Sequence, residues 1–286
     1  MHNNLDESQY QGRYGSGQMA GGLFRIGTPL IIGLLLAGVS YFKYCSSKSY
    51  NEYLGVYQHV NITPEEEIAL GLESKPAMIK EYGGLDPDQR ARAIVQEVGE
   101  SLYKNSVASQ TPYQFEFNLL ADPNTINAFA LPGGQVFITR ALFDKLQNKD
   151  QLAGVLGHEI GHVIGRHAGE RMQKDGLLQG IAGAVGVAAG DYQTAQAAQQ
   201  IAALIGLKYG RDQELQSDNL GIRFMLETGY QPEQMIGVME ILKQASGGQR
   251  QNEFASTHPD PENRIEKIKE AIDFYRSGKK IEDKGN

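Results

Sequence analysis

The sequence predicts an α+β fold, mostly helical with a small sheet, preceded by one N-terminal transmembrane helix. Three observations carry that expectation. A charge-free apolar run at 26–42 is bracketed by Arg25 and Lys43, strand-like segments are confined to 113–139, and helical patterning runs almost unbroken from Arg140 onward. With 286 residues, 41% hydrophobic and 21% charged, the chain can bury a sizeable core, and fibrous or wholly disordered structure is excluded.

Residues 1–25 read as a flexible tail, rich in glycine at Gly12, Gly15, Gly17, Gly21 and Gly22. The run at 26–42 sits at the lower limit for a spanning helix, about 17 residues, and Tyr41, Phe42 and Tyr44 suit an interfacial belt. The bulky residues after the run argue against a cleaved signal peptide. Phe42-Lys43-Tyr44 ahead of Cys45 argues against a lipoprotein site. Arg13 and Arg25 before the run balance Lys43 and Lys48 after it, with Arg25 and the free amine favouring a cytoplasmic N-terminus. The expectation is a single-pass membrane protein whose large domain faces the non-cytoplasmic, periplasmic side.

A polar linker is expected at 46–62 and one globular domain at 63–286. Thr63-Pro64-Glu65-Glu66 starts a helix with a capping box, and Asp86-Pro87-Asp88-Gln89 opens a second with Ile94, Val95, Val98 and Leu102 inward. Residues 113–120 alternate as a strand, and runs at 126–131 and 135–139 flank Pro132-Gly133-Gly134 as a hairpin. Helices are then expected at 140–147, 151–167 (capped by Asp150), 171–190, 194–228, 232–246 and 261–276. The apolar stretch 176–190 suits a packing helix or a lid better than a re-entrant membrane contact.

The balance of 27 Lys+Arg against 34 Asp+Glu gives −7, and without a basic block no nucleic-acid partner is expected. A single cysteine excludes an internal disulfide and multi-cysteine metal modules, so any metal must be held by nitrogen and oxygen.

His158-Glu159-Ile160-Gly161-His162 is the pattern H-E-x-x-H. On a helix, positions four apart share a face, so two imidazoles can meet one zinc ion while Glu159 points at its water. A catalytic site usually needs a third protein ligand. In the metzincin pattern, which Gly165 fits, the third histidine would stand at Ala168; His167 falls one residue early, so it reads as a partly buried or hydrogen-bonded histidine rather than a ligand. Glu214 is the favoured third ligand. Asp218, one turn on, can accept the N–H of a ligand histidine and fix its tautomer.

Four blocks together resemble a known family: His158 to His167, Glu214 to Asp218, Ser256-Thr257-His258-Pro259 with Arg264, and Asn127 to Gly134. They are similar to the gluzincin metallopeptidases related to HtpX and the CAAX prenyl proteases, peptidase family M48, over about residues 60–275. The resemblance implies a domain holding one zinc ion per chain that hydrolyses peptide bonds, with Glu159 as general base. Its compact bacterial membrane-associated subgroup implies unfolded or misfolded polypeptides as substrates, envelope quality control as the role and the lipid bilayer as a partner. CAAX processing is not implied, because the multi-helix membrane chamber is missing. The resemblance permits His258 as an oxyanion donor or as a plug on the metal, and Arg264 as a residue orienting a carboxylate or the substrate backbone. The edge formed by Asn127, Ala128, Phe129 and Ala130 is expected to bind substrate by strand addition. The alternative reading is a metal-plugged holdase that binds misfolded chains without cleaving them. A third is a protein that uses zinc only to fold. The sequence leaves the oligomeric state open.

Overall fold

The computed structural model describes residues 20–189, 209–245, 252–260 and 263–279, without the side chains of 20–27, 29 and 180–189. The expected tail therefore lies largely outside the described residues. Helix α1 (Ala20–Ser46) contains the whole apolar run, and Leu30, Leu34, Leu35 and Phe42 are more than half exposed along it. Among the described residues, however, no helix is long and apolar enough to cross a membrane. This corrects the transmembrane helix expected at 26–42.

The stretch expected as a linker folds instead into a hairpin of β1 (Lys48–Asn51) and β2 (Val56–His59). Asn51 Nδ2 donates to Ile164 O at 2.9 Å and Gln58 Nε2 to Gly165 O at 2.6 Å. The hairpin thus satisfies carbonyls left open where a later helix ends.

Helix α2 (Pro64–Glu81) starts with the expected capping box between Thr63 and Glu66. Helix α3 (Gln89–Lys104), capped by Asp88, buries Val95, Val98 and Leu102 completely. After a 3-10 turn at Val107–Gln110 the sheet follows: β3 (Glu116–Leu120), β4 (Ala128–Leu131) and β5 (Gln135–Thr139). The strand order is β3-β5-β4, with β5 parallel to β3 and antiparallel to β4, which makes β4 an edge strand. The strand expected from 113 begins only at Glu116, because Tyr113 turns inward to bond the buried Glu67.

A short α4 (Arg140–Phe143) leads to α5 (Lys149–Ile164), in which every residue from Gln151 to Ile164 is buried. Asn148, not Asp150, caps it by accepting from Gln151 N, while Asp150 accepts from Gln231 N. The helix stops at Ile164 rather than 167 because Arg166 takes a left-handed φ of 56°, and His167 opens α6 (His167–Ala189). Helix α6 runs beside α1 and includes most of the stretch expected to pack or to cover the cleft. Helix α7 (Arg211–Glu227) realises the end of the helix expected at 194–228; residues 194–208 lie outside the described residues. Helices α8 (Gln234–Ala245), α9 (Glu253–Thr257) and α10 (Arg264–Arg276) complete the order, α9 without a counterpart in the sequence reading.

Helix α5 is the centre of the core, packed on α3, α7, α8 and β4. Its approach to α7 depends on Gly161: a Cβ there would sit 2.8 Å from Ser217 O. That closeness lets side chains from both helices meet.

Candidate metal centre

His158 and His162 stand one turn apart on α5 and point the same way, with their Nε2 atoms 3.0 Å apart. Helix α7 brings Glu214 against them, at 3.4 Å from His158 Nε2 and 3.5 Å from His162 Nε2. From the loop after α9, His258 joins the set, and one ligand atom from each of the four residues lies within 4.8 Å of the others. All four are buried. The structure therefore brings together the two histidines, the distant acid and His258, all four singled out by the sequence.

The surroundings are arranged by charge. Asp218 Oδ1 accepts from His158 Nδ1 at 2.8 Å, which leaves the opposite nitrogen's electron pair facing the set. Arg264 grips the same carboxylate with two bonds, at 2.7 and 2.8 Å, and approaches Glu214 Oε2 at 3.4 Å. Burial would raise Asp218, but Arg264 and His158 hold its carboxyl down to about 2. Burial also opposes ionisation of Glu214, yet His258, His158 and His162 hold it well below the usual carboxylate range. The two imidazoles diverge: against burial, the neighbouring carboxylates of Asp218 and Glu214 raise His158 to about 9, whereas burial lowers His162 to about 4. Glu159 is fully buried beside them, and burial pushes its carboxyl up to about 8.

These groups fit a cation. Both oxygens of Glu214, both oxygens of Glu159 and His258 Nε2 are buried without a hydrogen-bond partner. Each such atom costs on the order of 1–3 kcal/mol when left unpaired. Facing lone pairs and a carboxylate without donors are the complement of a divalent ion, and the nitrogen–oxygen set without thiolate suits zinc.

Other predicted residues are placed differently. Arg264 is 4% exposed and grips the carboxylate of Asp218, the first of the two roles expected of it. Asn127 is buried, with Nδ2 donating to Tyr82 Oη at 3.2 Å and Oδ1 without a hydrogen-bond partner. Ala128 and Ala130 are buried, and Phe129 stacks on Phe137. Their shared backbone still forms the sheet edge next to α5. Tyr209 was missed by the sequence reading. Its ring stacks on His162 at 3.8 Å between centroids, and its amide donates to Thr257 O. No local pattern around it announces that contact, and only its place just before the α7 start at Gly210 ties it to the site.

Relatives share this region. The chain is 34% identical to the beta-barrel assembly-enhancing protease of Escherichia coli (strain K12) over 182 residues, 60% of this chain and 37% of that protein. It is 30% identical to the mitochondrial metalloendopeptidase OMA1 of Schizosaccharomyces pombe over 168 residues, 58% of this chain and 49% of the relative. With the metalloprotease YcaL of Escherichia coli (strain K12), 28% of 165 residues are identical, over 57% of this chain and 63% of YcaL. The chain thus spans between 37% and 63% of the length of these relatives. The family model for peptidase family M48 matches residues 89–272, a stretch that carries His158, His162, Glu214 and His258, and the chain belongs to that family.

Proposed function

We propose that this protein is a zinc-dependent endopeptidase that cleaves unfolded or misfolded polypeptides in envelope protein quality control. The observation that supports it is the convergence of His158, His162 and Glu214 on one point, with the unpartnered carboxylate of Glu159 beside it. Those three residues would hold the ion. Zinc, when bound, acts as a Lewis acid that lowers the pKa of a water and polarises a carbonyl. Glu159 accepts a proton from the attacking water and returns it to the leaving amine. Asp218, steadied by Arg264, keeps His158 in the tautomer with Nε2 free. The β4 edge offers main-chain groups to an extended peptide, which accounts for loose side-chain preference.

His258 acts as a plug in the closed form: its Nε2 lies 3.6 Å from Glu159 Oε1 and belongs to the ligand cluster, so it must withdraw before substrate enters. The same observation favours a second reading, a plugged holdase that does not cleave. The exposed apolar side chains of α1 make a lipid surface the natural partner of that helix. The deciding test is chelator-sensitive cleavage of unfolded casein by the full chain, with Glu159→Gln retaining one zinc per chain but no cleavage. Zinc binding without any cleavage by the unaltered chain supports the holdase instead.

A further inference from the structure

The sequence motif extends past His162 to a histidine that the centre described above does not use. His167 is 0% exposed although it opens a helix. The left-handed Arg166 turns the chain back so that the His167 ring lies over Gly165. A Cβ at Gly165 would meet His167 Nε2 at 2.4 Å, so a glycine is needed for the ring to occupy this place.

The contacts of that ring have a definite polarity. His167 Nε2 lies 2.9 Å from Gln216 Oε1, an oxygen that can only accept, so Nε2 carries the proton. In a neutral imidazole Nδ1 is then the acceptor. Two groups face it: His162 Nδ1 at 2.9 Å and Ser217 Oγ at 3.2 Å. His162 must therefore be the N–H donor at Nδ1, which leaves its Nε2 with a free electron pair on the side of His158 and Glu214. At His158 the Nδ1 proton is held by a carboxylate instead.

We infer that His167 is a positioning residue for His162, and that His167 and Gln216 form a neutral hydrogen-bond relay setting the His162 tautomer for the cation. The inference rests on the metal-centre reading proposed above. It explains why a buried histidine, a glycine that makes room for it and a left-handed arginine occur together just beyond the second ligand. A space-filling residue would need none of the polar partners.

The test uses the full chain, with zinc affinity measured by competition against a chromophoric chelator. Long-range proton–nitrogen spectra of the metal-free protein report which imidazole nitrogens carry protons. His167→Phe fills the space without an acceptor, and zinc affinity should fall about 10–100-fold. Gln216→Met, at a half-buried position, should lower it in the same direction by about tenfold or less. In the unaltered chain His162 should be protonated at Nδ1, and in His167→Phe that preference should be lost. Unchanged zinc affinity in both variants, or an unchanged His162 spectrum in His167→Phe, overturns the relay while leaving the metal centre standing. If His167→Phe does not fold, Gln216→Met decides by the same two readouts. An unaltered chain that takes up no zinc overturns the metal-centre reading and the relay with it.

Discussion

The two walls of the centre are built differently. On one side, α5 and α7 are long, buried and pressed together at Gly161, and they carry His158, Glu159, His162, Glu214 and Asp218. On the other, Tyr209 and His258 come from short connections beside the five-residue α9. That wall is held by individual bonds: Phe254 N to Ile126 O, Tyr209 N to Thr257 O and Tyr82 Oη to Glu253 Oε2. Atoms that must keep a fixed geometry are placed on elements that unfold only with the core, whereas the covering wall has few contacts to lose. A buried centre that must admit a polypeptide needs that asymmetry.

The strongest attack on the fixed wall is Glu159→Gln. Peptide hydrolysis should drop by a factor of about 10²–10⁴ with zinc content unchanged, as read by turnover of a fluorescent unfolded substrate and metal analysis. Residual activity near that of the unaltered chain would mean the base lies elsewhere.

Next in size is Asp218→Ala, which strands the buried Arg264 guanidinium and frees His158 Nδ1. Denaturant unfolding should show a loss of about 3–5 kcal/mol, together with weaker zinc binding. A loss under ~1 kcal/mol would place the ion pair outside the supports of this wall.

The pH response of the metal-free chain sharpens the comparison further. Glu159, raised by burial from 4.5 to about 8, contributes stability that is complete below 4.5 and lost as pH rises through about 8. His158, for which Asp218 and Glu214 outweigh burial, is raised from 6.5 to about 9 and loses its contribution over 6.5 to 9. Melting temperature should therefore fall between pH 6.5 and 9 without zinc and fall less with it, because the ion takes the place of the His158 proton. A rise over that interval in the chelated protein would contradict the assigned protonation.

The smallest expected effect tests the covering wall. Tyr82→Phe removes two hydrogen bonds, the one donated to Glu253 and the one accepted from Asn127, worth about 0.5–1.5 kcal/mol each. Hydrogen exchange should quicken across 252–258 and stay unchanged in α5. Equal acceleration in both would show that the walls open as one unit.

How far the sequence could be read follows the same division. His158 with His162, and Glu214 with Asp218, were legible because a helix turns four-residue spacing into a shared face. The capping box at Thr63 and the hairpin around Pro132 were equally local. Arg264 was identifiable as part of the site but not as the partner of Asp218, since that contact joins α10 to α7 across 46 positions. Asn127 was legible as a candidate for substrate, but the bond from its amide to Tyr82, 45 positions earlier, was not. The 26–42 run was legible as an apolar helix, because a charge-free composition and helical continuity are local properties.

The sequence by itself determined the donor types, their spacing on each helix and the exclusion of thiolate ligands, because these depend only on residue identity and helical repeat. Tertiary structure decided which partners those donors meet: the Gly161 approach that delivers Glu214, the fold-back that sets His167 against His162, and the place of His258 and Tyr209 over the centre. Those contacts join residues far apart in the chain, and their geometry exists only once the core has packed.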